Sequence, residues 1–198
     1  STDSEEIAEI AKKYGAEVPF LRPVEFATDA AGDYGVFKHA MDWLRKNENY
    51  EPEYWAHLRP TTPLREPEIL DKGIEEILKH PEATSMRSGY ELREPPQKQF
   101  GIENGFFVGL FPHDPRPDYT NLPRQSFSPA YQPNGYIDII KRKTVIEDGI
   151  FHGSKIFAFV VPDTGELDRP EDLEFIKFNL NKGRYKIYEY LENNFKQI

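Results

Sequence analysis

Tyr54-Trp55-Ala56-His57-Leu58-Arg59-Pro60-Thr61-Thr62-Pro63-Leu64-Arg65 sets the fold class. Tyr54 to Leu58 reads as a short buried strand. It ends in a loop stiffened by two prolines. Pro67 then stands where a helix can begin, and Ile69, Leu70, Ile74, Ile77 and Leu78 recur at helical spacing to give that helix an apolar face. Thr84 to Ser88 follows as a second strand. Strand, helix and strand in this order argue for a mostly parallel sheet covered by helices.

Upstream, Val36, Phe37, Ala40, Met41 and Leu44 mark an amphipathic helix, and Glu17 to Leu21 reads as a short strand. At the front, Asp3 and Glu6 have capping-box spacing. Ile7, Ile10, Ala11 and Tyr14 share a helical face, and Gly15 supplies the stop. A helix capped this early in an α/β chain is expected to follow a strand, and a natural N-terminal helix reads equally well from local pattern.

Downstream the pattern changes. Glu103-Asn104-Gly105 between apolar runs from Phe100 to Leu110 is a hairpin signal. Pro112 to Pro133 is a proline-rich excursion. Tyr136 to Ile140 and Ile156 to Val161 read as strands, and Asp168 to Asn179 and Gly183 to Asn194 as closing helices.

A chain of 198 residues can bury one substantial core, and its 14% aromatic content adds large apolar areas per residue. The formal charge of −9 argues against a general nucleic-acid binder, but a few well-placed cations are enough for an anionic small molecule. The absence of cysteine excludes disulfides and thiolate metal sites and fits a reducing compartment. No apolar run reaches membrane-spanning length, so a cytoplasmic protein is expected.

Three segments carry candidate chemistry. The loop from Arg59 to Arg65 leaves a strand end, where open α/β sheets bind ligands, and its arginines have the fork geometry that clamps a carboxylate or phosphate. A proline-fixed loop with surface arginines has the same sequence. Pro123-Arg124-Gln125 and Asn134-Gly135 offer a cation and two amides for a sugar's polar groups, although Asn134-Gly135 also reads as a turn. Glu166-Leu167-Asp168 places two carboxylates on one side of an extended chain, a spacing that can hold a hard divalent cation. Alternatively, Asp168 caps the helix that Arg169-Pro170-Glu171-Asp172 opens. His39, His57, His80, His113 and His152 form no metal-ligand spacing.

Taken in order, these segments resemble the acylneuraminate cytidylyltransferases and their legionaminic and pseudaminic relatives. The resemblance runs through Ser1-Thr2-Asp3, Tyr14-Gly15-Ala16-Glu17-Val18, Leu21-Arg22-Pro23, Ala27-Thr28-Asp29, the Arg59 to Arg65 loop, Pro123-Arg124-Gln125, Asn134-Gly135 and Glu166-Leu167-Asp168. It implies a Rossmann-like nucleotidyltransferase fold, a glycosyltransferase-A-like three-layer sandwich in one domain over 1–198. Residues 95–135 would form a dimerisation and sugar-site insertion. The family's first β-α-β segment, with its phosphate-binding loop, is expected to precede Ser1. A chain without that segment is expected to be inactive alone.

The reaction implied is transfer of CMP from CTP to an acidic nine-carbon sugar, with Mg²⁺ as cofactor and a homodimer as the assembly. By position in the motifs, Arg22 and Asp33 would contact the nucleotide. Arg59, Lys98, Arg124, Gln125 and Asn134 would contact the sugar, with Arg124 and Asp168 catalytic. Asp168 and Glu166 would bind the metal. Glu166 stands where the family often has Asp, and Asp138 where some members have Tyr at the sugar site. A non-catalytic sugar-binding or oligomerisation module is the alternative, and an eight-carbon keto-acid sugar is a further substrate option.

Overall fold

A computed structural model describes residues 1–28, 30–182 and 185–195, the last without its side chain. Asp29 and Gly183 therefore lie outside the described residues. The elements run α1 (Glu5–Lys13), α2 (Asp33–Glu48), β1 (Tyr54–His57), α3 (Pro67–Leu78), β2 (Ser85–Glu91), β3 (Phe100–Glu103), β4 (Phe106–Gly109), β5 (Tyr131–Lys141), α4 (Arg142–Ile146), β6 (Ile156–Val160), α5 (Pro170–Asn181) and α6 (Lys186–Phe195).

The expected strand–helix–strand unit is present as β1, α3 and β2, but β1 is not the buried strand expected: it lies at the sheet edge with no buried residue and stops before Leu58, which is exposed. The sheet is mixed rather than mostly parallel, because β5 inserts between the two strands to give the order β1-β5-β2-β6. Tyr54 pairs with Lys141 and His57 with Asp138, so β1 and β5 are antiparallel. Leu92 N donates to Ala130 O while Ser88 faces Asn134, so β2 also opposes β5. Thr84 N bonds Lys155 O and Val161 N bonds Gly89 O, so β2 and β6 run in the same direction. From Asn134 to Ile140, β5 is buried at every residue, as a strand covered on both faces must be.

The chain divides into two compact units, Ser1–His57 with Lys72–Met86 and Asp138–Phe157, and Leu58–Asp71 with Arg87–Ile137 and Ala158–Ile198. In the first, Phe37 and Met41 of α2 pack with Ile140 and Val145, and Trp55 and Phe151 close the cluster. In the second, Leu64, Ile176 and Tyr185 form a core backed by Leu167 and Leu180.

Several local expectations change. Helix α1 is capped by Ser4, whose Oγ accepts from Ile7 N, rather than by Asp3; the acids Glu5 and Glu6 then fall in the first turn. Gly15 ends it at φ +88°, as expected. Of its expected apolar face, Ile7, Ile10 and Tyr14 are exposed and Ala11 is half-buried; the one buried residue of the helix is Ala8, which is not among them. Glu17 to Leu21 forms no strand. It makes one parallel bridge, Leu21 to Thr2, and Pro19 supplies no N–H for a ladder. Asn104 and Gly105, both at positive φ, close the β3–β4 hairpin as expected.

Candidate functional site

Within the second unit, three of the sequence-selected segments meet. The loop after β1 donates outward through Arg65: its Nε reaches Tyr136 O at 2.6 Å and its Nη2 reaches Gly135 O at 2.6 Å and also Arg59 O. Arg65 is thus a clamp on carbonyls of β5 and of its own loop. Burial pulls its guanidinium below the ordinary arginine value, and the nearby Tyr136 phenol opposes that shift. From the third segment, Glu166 Oε1 accepts from Gly135 N at 2.8 Å, and Leu167 N donates to Thr61 O at 2.7 Å.

Asn134 and Gly135 do not form a turn. They lie inside β5, and the glycine serves close packing: a Cβ there would stand 2.7 Å from Thr62 Oγ1 and 3.0 Å from Arg59 Cβ and Cδ. Thr62 is fully buried, and its hydroxyl oxygen has no hydrogen-bond partner among the described residues.

The Asn134 amide is oriented by its neighbours. Ser88 Oγ donates to Asn134 Oδ1 at 2.7 Å and Tyr136 N donates to the same oxygen at 3.2 Å. A backbone N–H can only donate, so the accepting atom is oxygen and Nδ2 is the amide's donor side. Ser88 in turn accepts from Ile137 N at 2.9 Å. Ser88 carried no sequence signal; its position four residues into a strand facing β5 is a product of pairing.

The remaining expected sugar contacts lie on the excursion. Lys98 Nζ donates to Leu122 O at 3.2 Å, and Arg124 Nη1 to Arg93 O at 2.9 Å. Arg124 and Gln125 are exposed. In the first unit, Arg22 pairs with Asp3 at 3.2 Å, and Asp33 opens α2.

Asp168 does not cap α5. Pro170 takes the first helical position, which makes Arg169 the cap residue and moves the capping carboxylate to Asp172. Asp172 Oδ2 accepts from Arg169 N at 2.8 Å and from Asp168 N at 3.0 Å. Asp168 is left exposed, with its carboxylate outside the cap. Among the described residues, no three His, Asp or Glu side chains gather into a metal cluster. No helix among them is long and apolar enough to cross a membrane.

No protein-family model matches the chain. It is 27% identical to an N-acylneuraminate cytidylyltransferase of Escherichia coli across 100% of its own length, which is 46% of that relative. It is also 27% identical to a pseudaminic acid cytidylyltransferase of Campylobacter jejuni, over 89% of this chain and 75% of the relative. A CMP-N,N'-diacetyllegionaminic acid synthase of Legionella pneumophila is 38% identical over 77 residues, covering 38% of this chain and 32% of that protein. The chain thus spans less than half of the first of these relatives and three quarters of the second.

Proposed function

We propose that this chain, a relative of the acylneuraminate and pseudaminic acid cytidylyltransferases, belongs to a protein that transfers CMP from CTP to an acidic nonulosonic sugar, with release of pyrophosphate. The observation that carries this reading is the junction at Gly135. There the Arg59 loop, the Asn134 strand and the Glu166-Leu167-Asp168 segment are bonded to one another.

In this reading Arg59, Lys98 and Arg124 supply positive charge for the sugar carboxylate. Asn134 Nδ2 and Gln125 hydrogen-bond its hydroxyl and acylamino groups. Lys98 and Arg124 are each anchored by a backbone carbonyl, which limits the side-chain entropy lost when an anion binds. Arg22 and Asp33 contact the nucleotide. Arg124 also offsets charge as the sugar's anomeric hydroxyl attacks the α-phosphate.

Asp168 and Glu166 offer hard oxygen donors of the kind Mg²⁺ takes from protein, one or two carboxylates beside substrate phosphates. The exposure of Asp168 fits that role, whereas Glu166 already commits one oxygen to Gly135 N. When bound, the ion would supply charge neutralisation at the phosphates. A cytoplasmic setting, where CTP is available, fits the same reading.

A homodimer is part of it as well. The β3–β4 hairpin presents Ile102, Phe106 and Phe107 at more than two-thirds exposure, and a lone two-stranded hairpin is marginal in water.

The test is to incubate the whole protein to which this chain belongs with CTP, Mg²⁺ and, separately, N-acetylneuraminic, pseudaminic and N,N'-diacetyllegionaminic acids. Pyrophosphate release and a CMP-sugar mass with at least one of them are expected. Sugar binding without release would favour a non-catalytic module, and neither binding nor release would overturn the reading.

A further inference from the structure

Resting on that reading, we infer that Arg65 and Glu166 are positioning residues that hold the Gly135 peptide from both ends and so set Arg59 and Asn134 for the sugar. Glu166 takes the Gly135 N–H and Arg65 takes its C=O, so a negative and a positive group complement the two ends of one residue. Both bonds are charge-assisted, the stronger kind.

Arg65 extends this hold in two directions. Through Tyr136 O it fixes the next residue of β5, and through Arg59 O it fixes the loop that carries the proposed sugar contact. The stem of Arg59 lies directly over Gly135, with Cβ and Cδ each 3.0 Å from where a Cβ would be. The Arg59 stem thus fills the space a side chain at residue 135 would need, and Arg65 Nη2 holds the carbonyls of both residues together. On the other side Asn134 is covalently joined to the clamped residue, and its amide is oriented by Tyr136 N, whose own carbonyl Arg65 holds.

A planar guanidinium serving three carbonyls cannot at the same time fork onto a substrate carboxylate. Arg65 therefore acts on the site through the backbone it holds, that of Arg59 included, and not as a fork on the substrate.

The experiment uses the full chain with four variants: Arg65→Lys, Arg65→Met, Glu166→Ala and Glu166→Gln. Titration calorimetry with the three acids named above is run without Mg²⁺, so that any metal role of Glu166 does not contribute. Amide exchange at Gly135 and the thermal midpoint are followed in parallel. Misplacing a contact by about 1 Å can cost on the order of 100-fold. Arg65→Lys and Glu166→Ala are accordingly expected to stay folded and to bind about 10- to 100-fold more weakly. Glu166→Gln keeps an oxygen for Gly135 N and is expected to recover most of that loss. Folded Arg65→Lys and Glu166→Ala proteins with wild-type affinity would overturn the inference. If the Arg65 variants do not fold, the Glu166 pair decides it by the same comparison. If the wild type binds none of the acids, the proposed function fails instead. The clamp is then judged by exchange: faster Gly135 exchange in Glu166→Ala than in Glu166→Gln supports it, and equal rates reject it.

Discussion

Ser88 Oγ donates to Asn134 Oδ1 at 2.7 Å, and both side chains are buried. The same hydroxyl accepts from Ile137 N, so one serine satisfies a backbone donor and orients the amide proposed to face the sugar. Ser88→Ala would leave Ile137 N without this acceptor. An unsatisfied buried group costs about 1–3 kcal/mol, which is the expected loss in urea denaturation. Weaker sugar binding should accompany it. An unchanged unfolding midpoint would mean that water replaces the hydroxyl.

Gly135→Ala tests the close approach at the junction. The added methyl would meet Thr62 Oγ1 at 2.7 Å and the Arg59 stem at 3.0 Å, against a fully buried threonine. Overpacking of this kind costs about 1–3 kcal/mol. Sugar affinity should fall as Arg59 is displaced. If both stability and affinity are retained, the loop yields more readily than this packing implies.

These two residues also mark how far the sequence could be read. The β1–α3–β2 unit, the Asn104-Gly105 hairpin and the Gly15 stop are local features, set by periodicity and by residues that tolerate positive φ, and all were legible. The direction of β5 was not, because a long proline-rich excursion precedes it and strand partners are chosen by tertiary packing. Asn134-Gly135 has the composition of a turn but lies in a strand, since the glycine answers to Thr62 and Arg59 across space. Arg65 was legible as a clamp but not in what it grips. Ser88 had no local signal at all.

Asp168 and Asp172 separate metal binding from capping. Asp172→Ala removes the acceptor for Arg169 N and Asp168 N, and loss of a helix cap costs about 1 kcal/mol. Asp168→Asn should leave stability within about 0.5 kcal/mol, as for an exposed substitution, while lowering Mg²⁺-dependent turnover. Thermal denaturation and a Mg²⁺ titration of pyrophosphate release check the pair. Normal turnover in Asp168→Asn would remove this residue from the metal site.

Asp114 offers a pH signature on the excursion. The Arg116 guanidinium bonds both of its carboxylate oxygens and holds its pKa down, from 3.8 to about 2. A carboxyl whose folded pKa is depressed contributes stability above its unfolded pKa and loses it as pH falls through the folded one. The contribution is therefore complete above about pH 4 and fades toward pH 2. Carbon-13 NMR should find Asp114 still ionised at about pH 3, where an ordinary Asp near 3.9 is mostly protonated. In Arg116→Gln the midpoint should return toward that ordinary value.

The β3–β4 hairpin provides the last test. In its register Ile102 opposes Phe107 and Glu103 opposes Phe106, so apolar side chains emerge on both faces. Phe106 and Phe107 are each 75% exposed, and Phe100 packs only obliquely on Phe107, with ring centroids 5.4 Å apart. Covering one such ring in an interface is worth about 1.5–3 kcal/mol. Phe106→Ser with Phe107→Ser should therefore weaken a homodimer by a few kcal/mol, on the order of 100-fold or more in dissociation constant. The hairpin fold should survive, because Asn104-Gly105 closes it and Tyr119 Oη accepts from Phe111 N at its base. Sedimentation velocity across a concentration series reads the shift from dimer to monomer. A wild-type protein that stays monomeric at high concentration, or a double variant that dimerises equally well, would show that a second copy does not cover this hairpin.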